Sequence, residues 1–287
     1  MLSRTLLNIA LLILVALLAI TVFTPGQNQQ ENQSGKVLAP LSPADVDRIS
    51  IRHNQRQIEL KKAEGNWRMM KPVSIAANSF RIDTLLKMLE NSSHASYPVS
   101  GLDLDKYGLK EVDTSISFNN SAIDFGIVNP VNGYRYVRSG NNVHLIDDHF
   151  YPLVSSQIGT LVARELLDRN AEIQKLQLPQ HTIYRDDDGI WQSSDELDPD
   201  AINEVIHHWQ NSQAFGVHNY MQRETLAEIS VFLAGKDQPI RFFVTDTDPW
   251  LIIARPDLDI EYHFNLEFHD RLLQPGVETV STAESDG

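Results

Sequence analysis

The fold is decided by Gly65-Asn66-Trp67-Arg68-Met69-Met70-Lys71-Pro72 and by the helix-like run from Phe80 to Asn91 that follows it. The run is apolar at positions i, i+3, i+4 and i+7, which is the spacing of one buried helical stripe: Ile82, Leu85, Leu86 and Leu89. A second helix signal, opened by Asp198-Pro199-Asp200, repeats this spacing at a constant offset of 120 residues: Ile202, Val205, Ile206 and Trp209. The unit is therefore used twice.

Trp67 and Trp191 mark the two copies of this unit. Each tryptophan follows a strand pair and a glycine-containing turn, and each helix is followed by alternating strands separated by turn residues. The sequence predicts an α+β fold, with an N-terminal single transmembrane helix and then two tandem repeats, each of a strand pair, one helix and an antiparallel meander. Both tryptophans are expected to pack in the core as structural repeat markers.

The N-terminus carries a run of Leu, Ile, Val and Ala from Thr5 to Phe23, about the length that spans a bilayer. Arg4 precedes the run, and no good Ala-x-Ala cleavage site follows it. This pattern favours an uncleaved signal anchor over a cleaved signal peptide. The predicted location is the bacterial inner membrane, single-pass, with the N-terminus cytoplasmic and the C-terminal domain periplasmic.

Composition divides the chain into six predicted segments. They are a cytoplasmic stub and transmembrane signal anchor (1–23), a flexible polar linker (24–41), the first α+β repeat (42–147), a helical connector (148–172), the second α+β repeat (173–273) and a disordered acidic tail (274–287).

Charge and cysteine content exclude several classes of function. The 287 residues include 24 Lys and Arg against 38 Asp and Glu, a net charge of −14. Binding of nucleic acid or anionic lipid by bulk electrostatics needs the opposite sign, so no nucleic-acid partner is expected. The absence of cysteine excludes disulfides, thiolate metal sites, cysteine nucleophiles and a lipoprotein anchor.

An ordered series of short motifs resembles a bacterial family of unknown function. Its members are membrane-anchored extracytoplasmic proteins, often encoded beside ABC transporters of the gliding-motility type. The resemblance implies a protein partner such as ABC transporter subunits, and it supplies no catalytic residue. The motifs include Gly65-x-Trp67, Lys71-Pro72-Val73, Leu85-Leu86-x-x-Leu89, Asp103-Leu104-x-x-Tyr107-Gly108-Leu109, Phe125-Gly126 and Tyr134-x-Tyr136-Val137.

The two copies differ by an insertion of about seven residues between the helix and the meander of the first copy, at Leu102 to Leu109. Its candidate partner-binding residues are Leu104, Tyr107, Gly108 and Leu109. The alternative is a structural cap, because the leucines of this segment also favour burial.

The sequence contains no phosphate loop, nucleophile elbow or zincin motif, so no catalytic, cofactor-binding or metal-binding residue is predicted. The predicted function is a non-catalytic periplasm-facing accessory or adaptor subunit of a membrane complex, associated with an ABC-type transporter. Two alternatives stay open. One is an envelope hydrolase or metal-dependent enzyme that uses His263, His269 and acidic neighbours. The other is a polysaccharide or small-ligand binder with an aromatic-lined cleft near Trp67, Tyr107 or Trp250.

Overall fold

The computed structural model describes residues 35–276, which form two antiparallel β-sheets. The first sheet contains β1 (Arg48–His53), β2 (Arg56–Ala63), β3 (Asn66–Lys71), β4 (Ile75–Ala76), β5 (Ala95–Pro98), β6 (Thr114–Phe118), β7 (Ser121–Val128), β8 (Arg135–Ser139) and β9 (Asn142–Ile146). The second contains β10 (Ile173–Gln177), β11 (Thr182–Arg185), β12 (Trp191–Ser193), β13 (Gly216–Asn219), β14 (Ala227–Leu233), β15 (Ile240–Asp246), β16 (Trp250–Arg255) and β17 (Ile260–Asn265).

Helices in the described part of the chain are short. They are α1 (Ser79–Leu86), α2 (Tyr151–Ser155), α3 (Pro199–Asn211) and α4 (Phe268–Leu273). Turns of 3-10 helix lie at Pro43–Asp45, Lys87–Leu89, Leu104–Tyr107, Ile158–Leu161 and Pro256–Leu258.

The two sheets have matching strand orders. The nine-stranded sheet runs β4-β3-β2-β1-β6-β7-β8-β9-β5, and the eight-stranded sheet runs β12-β11-β10-β14-β15-β16-β17-β13. A ribbon of four strands in the first sheet, and of three in the second, is joined to a four-strand meander. In both sheets the strand that follows the helix returns to the far edge beside the last meander strand.

The predicted fold class, an N-terminal transmembrane helix followed by α+β repeats, is wrong. Residues 35–276 are mostly antiparallel sheet, in two sheets of nine and eight strands. The physical reason is that each helical stripe ends within a few turns, whereas period-2 alternation continues through one hairpin after another.

The predicted transmembrane segment 1–23 and most of the predicted acidic tail lie outside the described residues. In residues 35–276, no helix is both long and apolar enough to cross a membrane.

The hydrophobic core lies between the helices and one face of each sheet. All eight residues of the two helical stripes are buried, as their spacing predicts. Trp209 of α3 is fully buried, packs edge-to-face on Phe242 at 5.2 Å, and donates its indole N–H to the carbonyl of Leu272 at 2.9 Å. Trp67 is buried on β3, and Trp191 is half-buried on β12. The core therefore includes residues from both sheets in one cluster.

The segment between the sheets is tied to both of them by backbone hydrogen bonds. Asn78 N–H donates to Leu161 O at 2.8 Å beside β4, and Ala214 N–H donates to Arg164 O at 2.9 Å just before β13. The apolar spacing of 148–172 predicts a helical connector, but only α2 and one 3-10 turn form there. Extended backbone replaces helix because it lies against the backbone of both sheets.

Folded structure begins before the predicted boundary at residue 42. Gly35 N–H donates to Ser93 O at 2.9 Å, and Ser93 N–H donates to Lys36 O at 3.0 Å. Leu38 is buried in the core cluster. These contacts attach the last part of the predicted linker to the first sheet, beside β5.

His144 on β9 titrates far from its ordinary range. The ring is 1% exposed, lies opposite Ser96 of β5, and its Nδ1 atom has no hydrogen-bond partner in the described structure. Burial, with a smaller effect of Lys36, lowers the pKa of His144 to about 4. Protonation of this ring therefore opposes folding.

We expect the free energy of unfolding to fall by about 2 kcal/mol between pH 7.5 and pH 5 because of His144 alone. Its folded pKa lies below its unfolded value, so the contribution is complete above about pH 6.5 and is lost as the pH falls. Urea denaturation of His144→Leu at both pH values should lack this part of the loss. The exposed His149, changed to Leu, is the control, and an unchanged slope in His144→Leu would contradict the assignment.

Gly159 allows the connector to lie directly on β13. A Cβ atom at this position would stand 2.5 Å from Val217 O and 3.0 Å from His218 N, and both are backbone atoms. We expect Gly159→Ala to lower the free energy of unfolding by about 1–3 kcal/mol, because the backbone has to move to accept the methyl group. Thr160→Ala, at the neighbouring half-buried position, serves as the control in urea denaturation. Equal stability of Gly159→Ala and the wild type would show that the contact is loose.

Candidate functional site

The insertion at Leu102 to Leu109 packs on the outer face of the first sheet, the face that lies away from the helices. Leu109 is fully buried, and Leu104 and Tyr107 are half-buried. Gly108 ends the 3-10 turn with φ +65°, a left-handed conformation that favours glycine. The structure therefore brings the four candidate residues together, but with much of their surface already in contact with the sheet.

Gly126 of β7 makes room for this packing. A Cβ atom there would stand 2.1 Å from Tyr107 O, so the insertion lies on bare backbone. Tyr107 also packs edge-to-face on Tyr136 at 4.7 Å, and burial raises the pKa of Tyr136, with further effects of Tyr107 and Tyr97. This geometry fits a cap on the sheet, and partner binding by the insertion stays a prediction.

The outer face of the second sheet carries four rings that we call the ring cluster: Phe215, His218, Trp250 and His263. His263 is the centre, with ring centroids 4.5 Å from His218, 6.1 Å from Phe215 and 6.4 Å from Trp250. Phe215 and Trp250 pack edge-to-face at 5.6 Å, and each remains 47% exposed. The cluster thus combines a buried histidine with two exposed aromatic side chains.

Strand pairing positions these rings. His218 of β13 lies opposite Glu261 of β17, and His263 follows Glu261 by two residues, so all three side chains share one face. Trp250 begins β16, on the other side of β17. The His218 ring lies over Gly216, where a Cβ atom would be 2.7 Å from its Nε2 atom.

A buried carboxylate, that of Glu261, holds the His263 ring of the cluster by a hydrogen bond. Glu261 is 0% exposed and accepts hydrogen bonds from Arg223 Nη1 at 2.7 and 2.8 Å, from Met221 N–H at 3.0 Å and from His263 Nε2 at 2.8 Å. Burial alone would raise the pKa of Glu261, but these donors outweigh it and hold the pKa below its usual value. The carboxylate is therefore ionised and fully bonded.

The same carboxylate fastens a loop to the sheet. Residues 220–226 connect β13 to β14, and both Met221 and Arg223 of this loop bond Glu261. Tyr220 N–H donates to Asp259 O at 3.1 Å, and Leu226 N–H donates to Val244 O at 2.8 Å. The loop is thus held at both ends and in the middle.

The histidines of the enzyme alternative belong to separate networks. His263 bonds Glu261, whereas His269 of α4 bonds Asp270 at 2.9 Å. Between residues 35 and 276, no group of three or more His, Asp and Glu side chains is placed to hold a metal ion. The structure therefore does not bring His263 and His269 together as one catalytic or metal-binding set.

Sequence reasoning missed Glu261, Arg223, Phe215 and His218. One signal was present, because Glu261 and His263 interrupt a strand of otherwise apolar residues at a spacing of two. Two polar side chains on one face of a buried strand indicate a polar network on that face. No sequence pattern near Arg223 indicates that it bonds Glu261 beside His263.

We expect Glu261→Gln to lower the free energy of unfolding by about 1–3 kcal/mol, because the half-buried Arg223 and the buried His263 lose their shared acceptor charge. Hydrogen exchange of residues 220–226 should increase, since the loop loses its central attachment. Glu228→Gln is the matched control, because its ion pair with Arg241 is half-exposed at 3.7 Å and should contribute less than about 0.5 kcal/mol. Unchanged exchange in the loop would contradict this account.

The comparisons with known proteins give one match. Residues 67–217 match the family model described as a domain of unknown function, DUF4340. No curated protein and no solved structure matches the chain. The matched range includes the insertion and Phe215 but ends before His218, Trp250 and His263. Because the match spans more than half of the 287 residues, the chain belongs to the DUF4340 family.

Proposed function

We propose that this protein is a non-catalytic accessory or adaptor subunit that binds a partner protein through the ring cluster. The observation that carries the proposal is the exposed pair of Phe215 and Trp250, each 47% exposed and in contact with the other. Neighbouring large apolar side chains on a surface mark interaction sites, and tryptophan is enriched among the residues that dominate binding energy.

The base beneath this pair favours tight binding. His263 is only 9% exposed and is fixed by Glu261, whose other acceptor positions are filled by Arg223 and Met221. A surface held in one conformation before binding loses little conformational entropy when a partner docks. The aromatic pair therefore lies beside a histidine that is held in place by hydrogen bonds.

The membrane is the proposed setting. The apolar run of residues 5–23 has the length of a single span, which supports an inner-membrane anchor with the folded domain on the periplasmic side. Such an anchor restricts the domain to a thin layer and raises the effective concentration of any membrane-bound partner. The family resemblance makes an ABC-type transporter subunit the proposed partner.

Binding of a polysaccharide or small ligand is a second candidate, favoured by the position of Trp250. A half-exposed indole beside His218 and His263 offers an apolar face with polar groups close by, which is the composition of many ligand sites. The protein-binding proposal is preferred because both rings are about half exposed and in contact with each other.

Site-specific photo-crosslinking in native membranes tests the proposal. Met221→benzoylphenylalanine places the photoreactive group on the loop that bonds Glu261, at a position that is 67% exposed. We expect this variant to form an adduct with a transporter subunit. Adding Trp250→Ala should reduce the adduct roughly tenfold or more, because an interface aromatic of this kind contributes on the order of 2 kcal/mol.

The control position is Phe80 on α1, which is 69% exposed and lies in the other half of the protein. The same photoreactive group at Phe80 should give no such adduct. An equal adduct from both positions, or an adduct that survives Trp250→Ala, would remove the ring cluster as the contact surface. Recovery of no membrane protein from either position would remove the adaptor function.

A further inference from the structure

The two halves of the chain carry very different charge. Residues 42–147 contain 13 Lys and Arg against 12 Asp and Glu, a net charge of +1. Residues 173–273 contain 7 Lys and Arg against 18 Asp and Glu, a net charge of −11. The ring cluster therefore belongs to the half that attracts cations and repels anions.

Two carboxylates precede Trp250 of the exposed aromatic pair in the chain. Asp246 is the last residue of β15, and Asp248 lies in the turn that leads to Trp250, the first residue of β16. Of the residues that the structure describes, no basic side chain forms an ion pair with either of them, and Asp246 Oδ1 instead accepts the Asp248 N–H at 3.1 Å. The nearby cation Arg223 is already neutralised by the buried Glu261.

Several other aromatic rings in residues 35–276 have the cationic group of a Lys or Arg side chain over them. The guanidinium of Arg135 lies 3.6 Å from the centroid of Tyr151, and that of Arg185 lies 4.6 Å from Trp191. Even the exposed Phe80 has Arg81 at 5.9 Å. Within residues 35–276, no Lys or Arg lies over Phe215 or Trp250. The most exposed aromatic pair of the acidic half is thus the one without a cation.

We propose that the Phe215–Trp250 pair binds the cationic side chain of an Arg or Lys in a basic segment of the partner protein. A guanidinium over an indole gains cation–π attraction, and the two flanking aspartates add charge complementarity. This inference rests on the proposed function and names the chemistry of the partner at that site.

His218 of the ring cluster does not oppose such a ligand at neutral pH. The pKa of His218 is lowered by burial, and further by His263, so its ring is uncharged. Arg223, which lies beside the cluster, is paired with Glu261. An anionic ligand, by contrast, would meet the −11 charge of this half.

A peptide titration with the full-length chain in detergent tests the proposal. The probe is a fluorescein-labelled peptide of Gly, Ser and Arg, compared with the same peptide in which citrulline replaces each Arg and removes only the charge. By fluorescence anisotropy, we expect the Arg peptide to bind at least about ten times more tightly. Trp250→Ala should weaken its binding roughly tenfold, and Phe80→Ala should leave it unchanged.

A charge-matched pair of variants separates local from general electrostatics. Asp246→Asn with Asp248→Asn should weaken binding of the Arg peptide about three- to tenfold. Asp187→Asn with Asp188→Asn removes the same charge from the turn between β11 and β12, in the same half but without an exposed aromatic pair beside it. This control should change binding less than about twofold.

Three results would overturn the proposal: equal binding of the citrulline peptide, an equal effect of the two aspartate pairs, or unchanged binding in Trp250→Ala. If chitohexaose binds in a way that depends on Trp250 and the Arg peptide does not bind, the ligand of the aromatic pair is a sugar and not a cation. The crosslink from position 221 distinguishes a failure of partner binding from a failure of the cationic ligand. If that crosslink depends on Trp250 but the Arg peptide fails, partner binding stands and the cationic ligand does not.

Discussion

Backbone contact along the segment 158–165 holds the two sheets together, and the rest of the architecture depends on it. The segment pairs first with residues beside β4 and then with residues before β13, which are the ends of two different sheets. Gly159 of this segment also lies so close to the backbone of Val217 and His218 in β13 that position 159 must be glycine. Unpaired sheet edges invite aggregation, so the same segment also covers two strands that would otherwise present free backbone. Residues 158–165 therefore both connect the two sheets and cover their edge strands.

The outer faces of the two sheets are covered by equivalent connections with opposite chemistry. In the first half the connection from β5 to β6 is longer and docks through Leu109 and Tyr107 on the bare backbone of Gly126. In the second half the connection from β13 to β14 is short and is fixed by Arg223 on the buried Glu261. A short loop has few apolar side chains to bury, so a strong ionic contact holds it in place. This shortness also leaves Phe215 and Trp250 uncovered.

Local features of the fold were predictable from the sequence, whereas the proportion of helix to strand was not. The bounds of β6 and β14 and the buried stripes of α1 and α3 follow from periodicities of two and 3.6, which act over neighbouring residues. The connector was mispredicted as helical because its apolar spacing suits a helix, but tertiary pairing with both sheets prevails over that local preference. In the candidate site, Arg223 and Glu261 are 38 residues apart and meet only through strand pairing. Phe215 and Trp250 are likewise exposed because the short loop does not cover them. No local sequence pattern indicates this exposure.

The two halves of the duplicated architecture differ in net charge and in how their outer faces are covered. One half is nearly neutral, is attached to the incoming chain at Gly35, and has its outer face closed by the insertion. The other half carries the excess negative charge and the open aromatic pair. The excess negative charge and the open aromatic surface therefore occur together in the copy that lacks the insertion.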